Sequence, residues 1–198
     1  MIDFHEIRLI AKMRAGGPEA YTEIYDRYAA RLMSYALRVT GDRAEAEDLL
    51  QETILAAWHG RETFHGNARL LSWLLGIMSR RWRDRCRHRQ VTTVSLTMEG
   101  DEIELPAPVT AGARLETGVI ERLSLDAALA VIDLPFREAL LLIHSQQLTY
   151  KEAAEILGEP VGTVKWRVSE ALKRVHRQLA ACEEEIDELR QTSAGAVG

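Results

Sequence analysis

The sequence predicts an all-α protein: two small helical domains joined by a flexible acidic linker. Three observations predict it. Apolar residues recur at three- and four-residue spacing along most of the chain, and almost nowhere alternate as a half-buried strand requires. A Gly- and Pro-bearing acidic stretch interrupts that periodicity near the middle. The 198 residues, 46% of them hydrophobic, suffice for one medium domain or two small ones. The expected layout is a first domain over 1–90, a linker over 91–119, a second domain over 120–181 and an acidic tail over 182–198.

Each element has its own signal. Between Tyr21 and Val39, the residues Ile24, Tyr28, Leu32, Tyr35, Ala36 and Val39 form an amphipathic stripe, and Gly41 punctuates its end. Ala46, Leu49, Leu50, Thr53, Ile54, Ala57 and Trp58 make a second stripe, whose opposite face carries Asp48, Gln51, Glu52 and Leu55. Leu70, Trp73, Leu74, Ile77 and Met78 open a third helix that runs into a cluster of arginines. These helices and the N-terminal segment make one bundle. Between Val91 and Glu121 stand Gly100, Pro106, Pro108, Gly112 and Gly118, with six acids against Arg114 alone. Helical order resumes near Ile120, and Leu134-Pro135 marks a break between two further helices. From Cys182 the chain turns acidic and ends in Ser, Ala and Gly, so its outer end is expected to fray.

The net charge of −5 hides a segregated distribution. Six arginines lie between Arg80 and Arg89 against Asp84 alone, and five Lys or Arg between Thr163 and Gln178 against Glu170 alone. The acids gather at 42–52, 99–104 and 183–188. Such a chain presents one face to an anionic polymer and another to a protein. No run of eighteen uncharged apolar residues and no secretory leader pattern occurs, so no membrane insertion is expected. Two distant cysteines, Cys86 and Cys182, fit a reduced cytoplasmic setting. Neither they nor the scattered histidines have metal spacing, and no metal or cofactor is expected. The phosphate-loop, zinc-protease and nucleophile-elbow patterns of common enzymes are missing, so no catalytic residue is assigned.

The stretch LTYKEAAEILGEPVGTVKWRVSEALKR, from Leu148, is the most informative. Thr149 and Glu152 have capping-box spacing. Ala153, Ala154 and Leu157 give a slim apolar face, Gly158 a tight exit, and Pro160 suits the start of the next helix. Val164, Val168, Ala171, Leu172 and Val175 form that helix's buried stripe. Thr163, Lys165, Trp166, Arg167, Ser169, Glu170, Lys173, Arg174 and Arg177 are assigned to its exposed face. A short helix, a tight turn and a longer basic helix are the parts of a DNA-binding helix-turn-helix. Lys165 and Arg167 suit guanine acceptors; Lys173, Arg174 and Arg177 suit phosphates. Trp166 suits either the groove or the neighbouring helix, and an ordinary helical hairpin with a solvated basic face is the alternative. Upstream, Arg80, Arg83 and Arg87 share a helix face that Arg81, Arg85 and Arg89 widen, with Trp73 and Trp82 as stacking surfaces for bases; the alternative is that both tryptophans are core and the arginines solvated. The intervening HGRETFHGNARLLS reads as a loop.

EIYDRYAARLMSYALRVTGDRAEAEDLLQETILAAW with LLSWLLGIMSRRWRDRCR resembles the sigma-2 domain of extracytoplasmic-function (ECF, group 4) sigma factors of the sigma-70 family. DLPFREALLLIHSQQLTYKEAAEILGEPVGTVKWRVSEALKRV resembles their sigma-4 domain. The resemblance implies a subunit that binds core RNA polymerase and recognises and melts promoter DNA. It implies docking on the polymerase clamp by Asp48, Gln51, Glu52 and Leu55. Minus-ten contacts fall to Arg61, Phe64, Asn67, Arg69, Trp73, Arg80, Arg83 and Arg87. Minus-thirty-five contacts fall to Thr163, Lys165, Trp166, Arg167, Glu170, Lys173 and Arg174. It further implies a linker threaded toward the polymerase active centre and control by an anti-sigma factor. Arg80 stands where relatives often carry Asn and Trp166 where they often carry a small residue, so promoter sequence does not transfer from them. A free-standing helix-turn-helix regulator would explain only the second half; an all-helical adaptor would leave both basic faces as mere solubilising surface.

Overall fold

The computed structural model describes residues 4–66, 68–96 and 125–195. Asn67, most of the stretch read as linker and the last three residues lie outside them. Helix α1 (Phe4–Arg14) buries Leu9, Ile10 and Met13. Helix α2 (Pro18–Thr40) begins on a proline and ends at Gly41, which takes φ 75° and donates its N–H to the Leu37 carbonyl. That left-handed turn costs glycine nothing. Asp42 then caps α3 (Arg43–His59), its carboxylate accepting the Glu45 N–H at 2.8 Å. A 3-10 turn, Arg61–Thr63, leads through the loop to α4 (Leu70–Leu96), which continues into the stretch read as linker.

The second half opens with helix α5 over 125–130. Helix α6 (Leu134–Leu140) follows Asp133, with Pro135 in its first turn where a missing N–H costs nothing. One π-helical turn, Leu141–Ser145, extends it. Helix α7 (Tyr150–Leu157) carries the Thr149–Glu152 capping box in both directions and leaves through Gly158 at φ 70°. Helix α8 (Val161–Gly195) runs on through the segment read as a tail. No strand occurs among the described residues.

The two halves pack against each other, which the expectation of tethered domains did not contain. One buried apolar cluster runs from Leu9 to Val175, with α4 against α7 and α2 against α6. Polar groups seal the seam. Glu138 of α6 is 1% exposed and accepts from Ser79 Oγ at 2.7 Å and Tyr35 Oη at 3.2 Å, with Arg83 Nε 3.9 Å away. Burial pushes the Glu138 carboxyl up, against the hydrogen bond from Ser79 and the charge of Arg83. Arg137 donates to the carbonyls of Arg38 and Val39 at the C-terminal end of α2, where a cation is favoured. Arg31 donates to the Gln146 carbonyl at 2.6 Å, and Ser72 to Glu152 at 2.9 Å.

Candidate nucleic-acid and polymerase interface

On α3, the side chains of Asp48, Gln51 and Leu55 are exposed, Leu55 to 49%. Asp42 sets the start of this helix, and its apolar stripe fixes which face turns outward. Glu52 differs from its neighbours. It pairs with Arg85 at 2.8 Å and accepts from Arg81 at 3.4 Å, so it joins α3 to α4. Arg89 likewise reaches Glu45 at 2.6 Å. Arg81, Arg85 and Arg89 therefore do not widen a phosphate-facing strip, as the sequence suggested. The i, i+4 periodicity that puts them on one side of α4 puts them against the acids of α3.

The other side of α4 carries Arg80, Arg83 and Arg87, the set expected to follow phosphates. Arg80 and Arg87 are exposed, with Arg87 3.1 Å from Asp84. Arg83 is drawn across the seam, donating to the carbonyls of Ile156 and Leu157 at 3.0 and 3.1 Å. Those carbonyls belong to the last turn of α7, which leaves them without partners in their own helix. A cleft between α4 and α7 is lined by Ser72, Trp73, Gly76, Arg80, Glu152 and Ile156. Burial opposes ionisation of Glu152, yet hydrogen bonds from Thr149 and Ser72 hold its carboxyl below the usual glutamate range.

In the loop, Arg69 is exposed and Arg61 half-buried over the Trp58 ring at 5.1 Å, donating to the Trp58 carbonyl. Phe64 is 3% exposed and lies against half-buried Trp73, ring centres 4.8 Å apart. Trp82, for which the sequence left a stacking surface or a core position open, is 4% exposed and belongs to the core. Asn67 falls outside the described residues. Sequence reasoning missed Glu6. This residue of α1 is 8% exposed and accepts the Leu70 N–H at 2.6 Å, placing a carboxylate at the N-terminus of α4 where the helix dipole favours it. Nothing in local periodicity signals so distant a cap.

The helix-turn-helix stands on α7 and α8. Lys165, Trp166, Ser169, Lys173 and Arg177 are exposed on α8. Thr163, Arg167, Glu170 and Arg174, assigned to the same face from the sequence, are half-buried. Arg167 is pulled back to Glu159 at 2.8 Å and keeps a side-chain exposure of 20%. Arg174 reaches Asp133 at 2.7 Å and Glu170 at 3.4 Å, and lies 4.2 Å over the Phe136 ring. Lys165 lies 5.8 Å over Tyr150, and Lys173 is 3.9 Å from Glu170. Glu159 and Asp133, which hold two of these cations, were not singled out from the sequence because each lies on another element.

Among the described residues, no group of three His, Cys, Asp or Glu side chains is placed to hold a metal ion, and no helix is long and apolar enough to cross a membrane. Residues 24–92 match the family model described as Sigma-70 region 2, and residues 122–175 that described as Sigma-70, region 4. The chain is 32% identical over 158 residues to the ECF RNA polymerase sigma factor SigL of Mycobacterium tuberculosis, spanning 79% of this chain and 86% of that one. It is 27% identical over 176 residues to the ECF RNA polymerase sigma factor SigW of Bacillus subtilis, spanning 86% and 94%. Its structure is similar to that of the sigma factor RpoE in complex with the anti-sigma factor NepR from Bartonella quintana. There the TM-score is 0.64 at 28% identity, over 80% of this chain and 95% of that one. The fold is also similar to that of CnrH in complex with the cytosolic domain of CnrY, with a TM-score of 0.65 at 23% identity, over 89% and 97%.

Proposed function

This chain belongs to the ECF RNA polymerase sigma factors of the sigma-70 family, and from that premise we propose that it directs core RNA polymerase to promoters. In this reading α3 docks on the polymerase through Asp48, Gln51 and Leu55. The loop before α4, with Arg69, Trp73, Arg80 and Arg87, engages and helps melt the minus-ten element, and α8 reads the minus-thirty-five element. The observation that carries the reading is the pairing of a capped helix-turn-helix with a separate helix whose exposed side is acidic and apolar. A free-standing DNA binder has no use for the second.

The seam adds a requirement. Arg83 holds the α7 carbonyls, and α7 lines the cleft beside Trp73 and Arg80. Arg80 and Arg87 are exposed, but Trp73 lines a cleft walled by α7 and Arg83 is tied to α7, so engagement of DNA by the whole of that side would need α7 to move away. The packed arrangement is thus the form that would meet an anti-sigma factor, and polymerase would engage the parted one. Relatives whose structures carry an anti-sigma factor support such control here.

Capture of core polymerase on the immobilised full chain tests the docking assignment. Asp48→Lys combined with Leu55→Asp should cut capture at least tenfold, while circular dichroism stays unchanged because both side chains are exposed. Undiminished capture would reject it. Glu52 is left alone because a lysine there would face Arg81 and Arg85 and disturb the fold.

A further inference from the structure

Trp166 packs on the helical unit through one ring edge only and leaves most of its indole uncovered. It is 58% exposed, on the outward side of the second turn of α8, beside Lys165 and one turn before Ser169. Among the described side chains of α8 it is the most exposed large apolar one, and it stands amid a basic face. Its geometry is restrained. The ring meets Phe136 in an edge contact, with centres 5.4 Å apart and planes at 61°. Phe136 is itself backed by the Arg174 guanidinium, and Asp133 and Glu170 hold that group in turn. Meanwhile Arg167, the adjacent hydrogen-bond donor, is withdrawn to Glu159. The early turns of α8 therefore present an oriented apolar ring flanked by cations, and their arginine is committed elsewhere.

The edges of base pairs in the major groove offer one apolar group, the C5-methyl of thymine. We propose that Trp166 is a specificity-determining residue that contacts a thymine methyl in the upstream promoter element. This rests on α8 being the recognition helix. Lys173 and Arg177, both exposed further along α8, supply the attraction to phosphates that brings the helix into the groove. The indole, backed by Phe136, then favours thymine where it lands.

The test uses holoenzyme, core polymerase with the full chain, to select upstream elements from a randomised duplex library. Each thymine of the selected element is then replaced by uracil, which removes the methyl and nothing else. At one or two positions the wild-type holoenzyme should bind the uracil duplex about fourfold more weakly, the effect of leaving one methyl unburied. Trp166→Ser should bind the thymine duplex more weakly and become indifferent to uracil at those positions, whereas Trp166→Phe should keep the preference. Wild-type indifference to every uracil, or undiminished methyl sensitivity in Trp166→Ser, would overturn the assignment while leaving the recognition helix in place. A selected element lacking thymine would overturn it in the same way. Failure of the wild-type holoenzyme to select any upstream sequence would instead overturn the recognition-helix reading, and Trp166 with it.

Discussion

Replacing Glu138 with alanine should loosen the seam between the two halves, by an amount that follows from its three partners. Tyr35 and Ser79 are both 0% exposed, and each donates to Glu138. The Tyr35 hydroxyl would be orphaned, at about 1–3 kcal/mol. Ser79 can turn to a carbonyl one turn earlier in its own helix and would cost little. Arg83 would lose a carboxylate 3.9 Å away, but its side chain is 32% exposed and keeps its bonds to α7. The 3–5 kcal/mol typical of breaking a fully buried pair is therefore an upper bound. The sum is about 3 kcal/mol, which lowers the urea midpoint by roughly 1.5 M for a slope of about 2 kcal/mol/M. Glu138→Gln keeps the shape and an acceptor, so it should stay within about 1 kcal/mol of wild type at neutral pH. The pH dependence separates the two further. Because burial raises this carboxyl in the folded chain, its contribution is fully present below the ordinary glutamate range and is lost as pH rises through the raised value. Wild type should thus gain on Glu138→Gln between pH 8 and pH 5. Urea unfolding followed by circular dichroism at both pH values is the assay. An alanine variant within 1 kcal/mol of wild type, or a wild-type-to-glutamine difference that is flat or reversed with pH, would refute the reasoning.

Gln147 takes φ 54° at the exit of the π turn, with its side chain exposed, so glycine relieves backbone strain without losing packing. Gln147→Gly should raise stability by about 0.5 kcal/mol, the strain relieved less the added freedom of the unfolded chain, and Gln147→Val should lower it, both read by thermal unfolding. Lys173 is exposed and only loosely paired with Glu170. Lys173→Ala should weaken holoenzyme binding to all upstream sequences alike and reduce the slope of log affinity against log salt by roughly one, measured by fluorescence anisotropy on promoter duplexes.

Local signals were legible because they depend on neighbours in sequence. Thr149 and Glu152, Gly158, Gly41, and the stripe from Ala46 to Ala57 each carry their own spacing, and each stands in the structure where that spacing puts it. Trp82 was left between a stacking and a core position because it sits among arginines, although it follows Met78 by four and Leu75 by seven and so continues the core stripe. The seam was not legible. Glu138 meets Ser79 across 59 residues and Tyr35 across 103, and a glutamate on a short helix reads as solvated until its cover is known. Periodicity reports which face is apolar and not what packs against it. The same limit applied to the candidate site. Spacing grouped nine residues on the exposed face of α8, yet Glu159 and Asp133, both outside that helix, draw Arg167 and Arg174 inward. It grouped six arginines on α4, and the acids of α3 take three of them.

The central claim, that this chain gives core polymerase its promoter preference, is tested most directly by transcription in vitro. Core polymerase is given a pool of linear templates randomised across the two promoter elements, with and without the full chain, and the run-off transcripts are sequenced. With the chain, initiation should concentrate on templates sharing one upstream and one downstream element at fixed spacing, and core alone should show no such enrichment. Equal template usage with and without the chain would contradict the account.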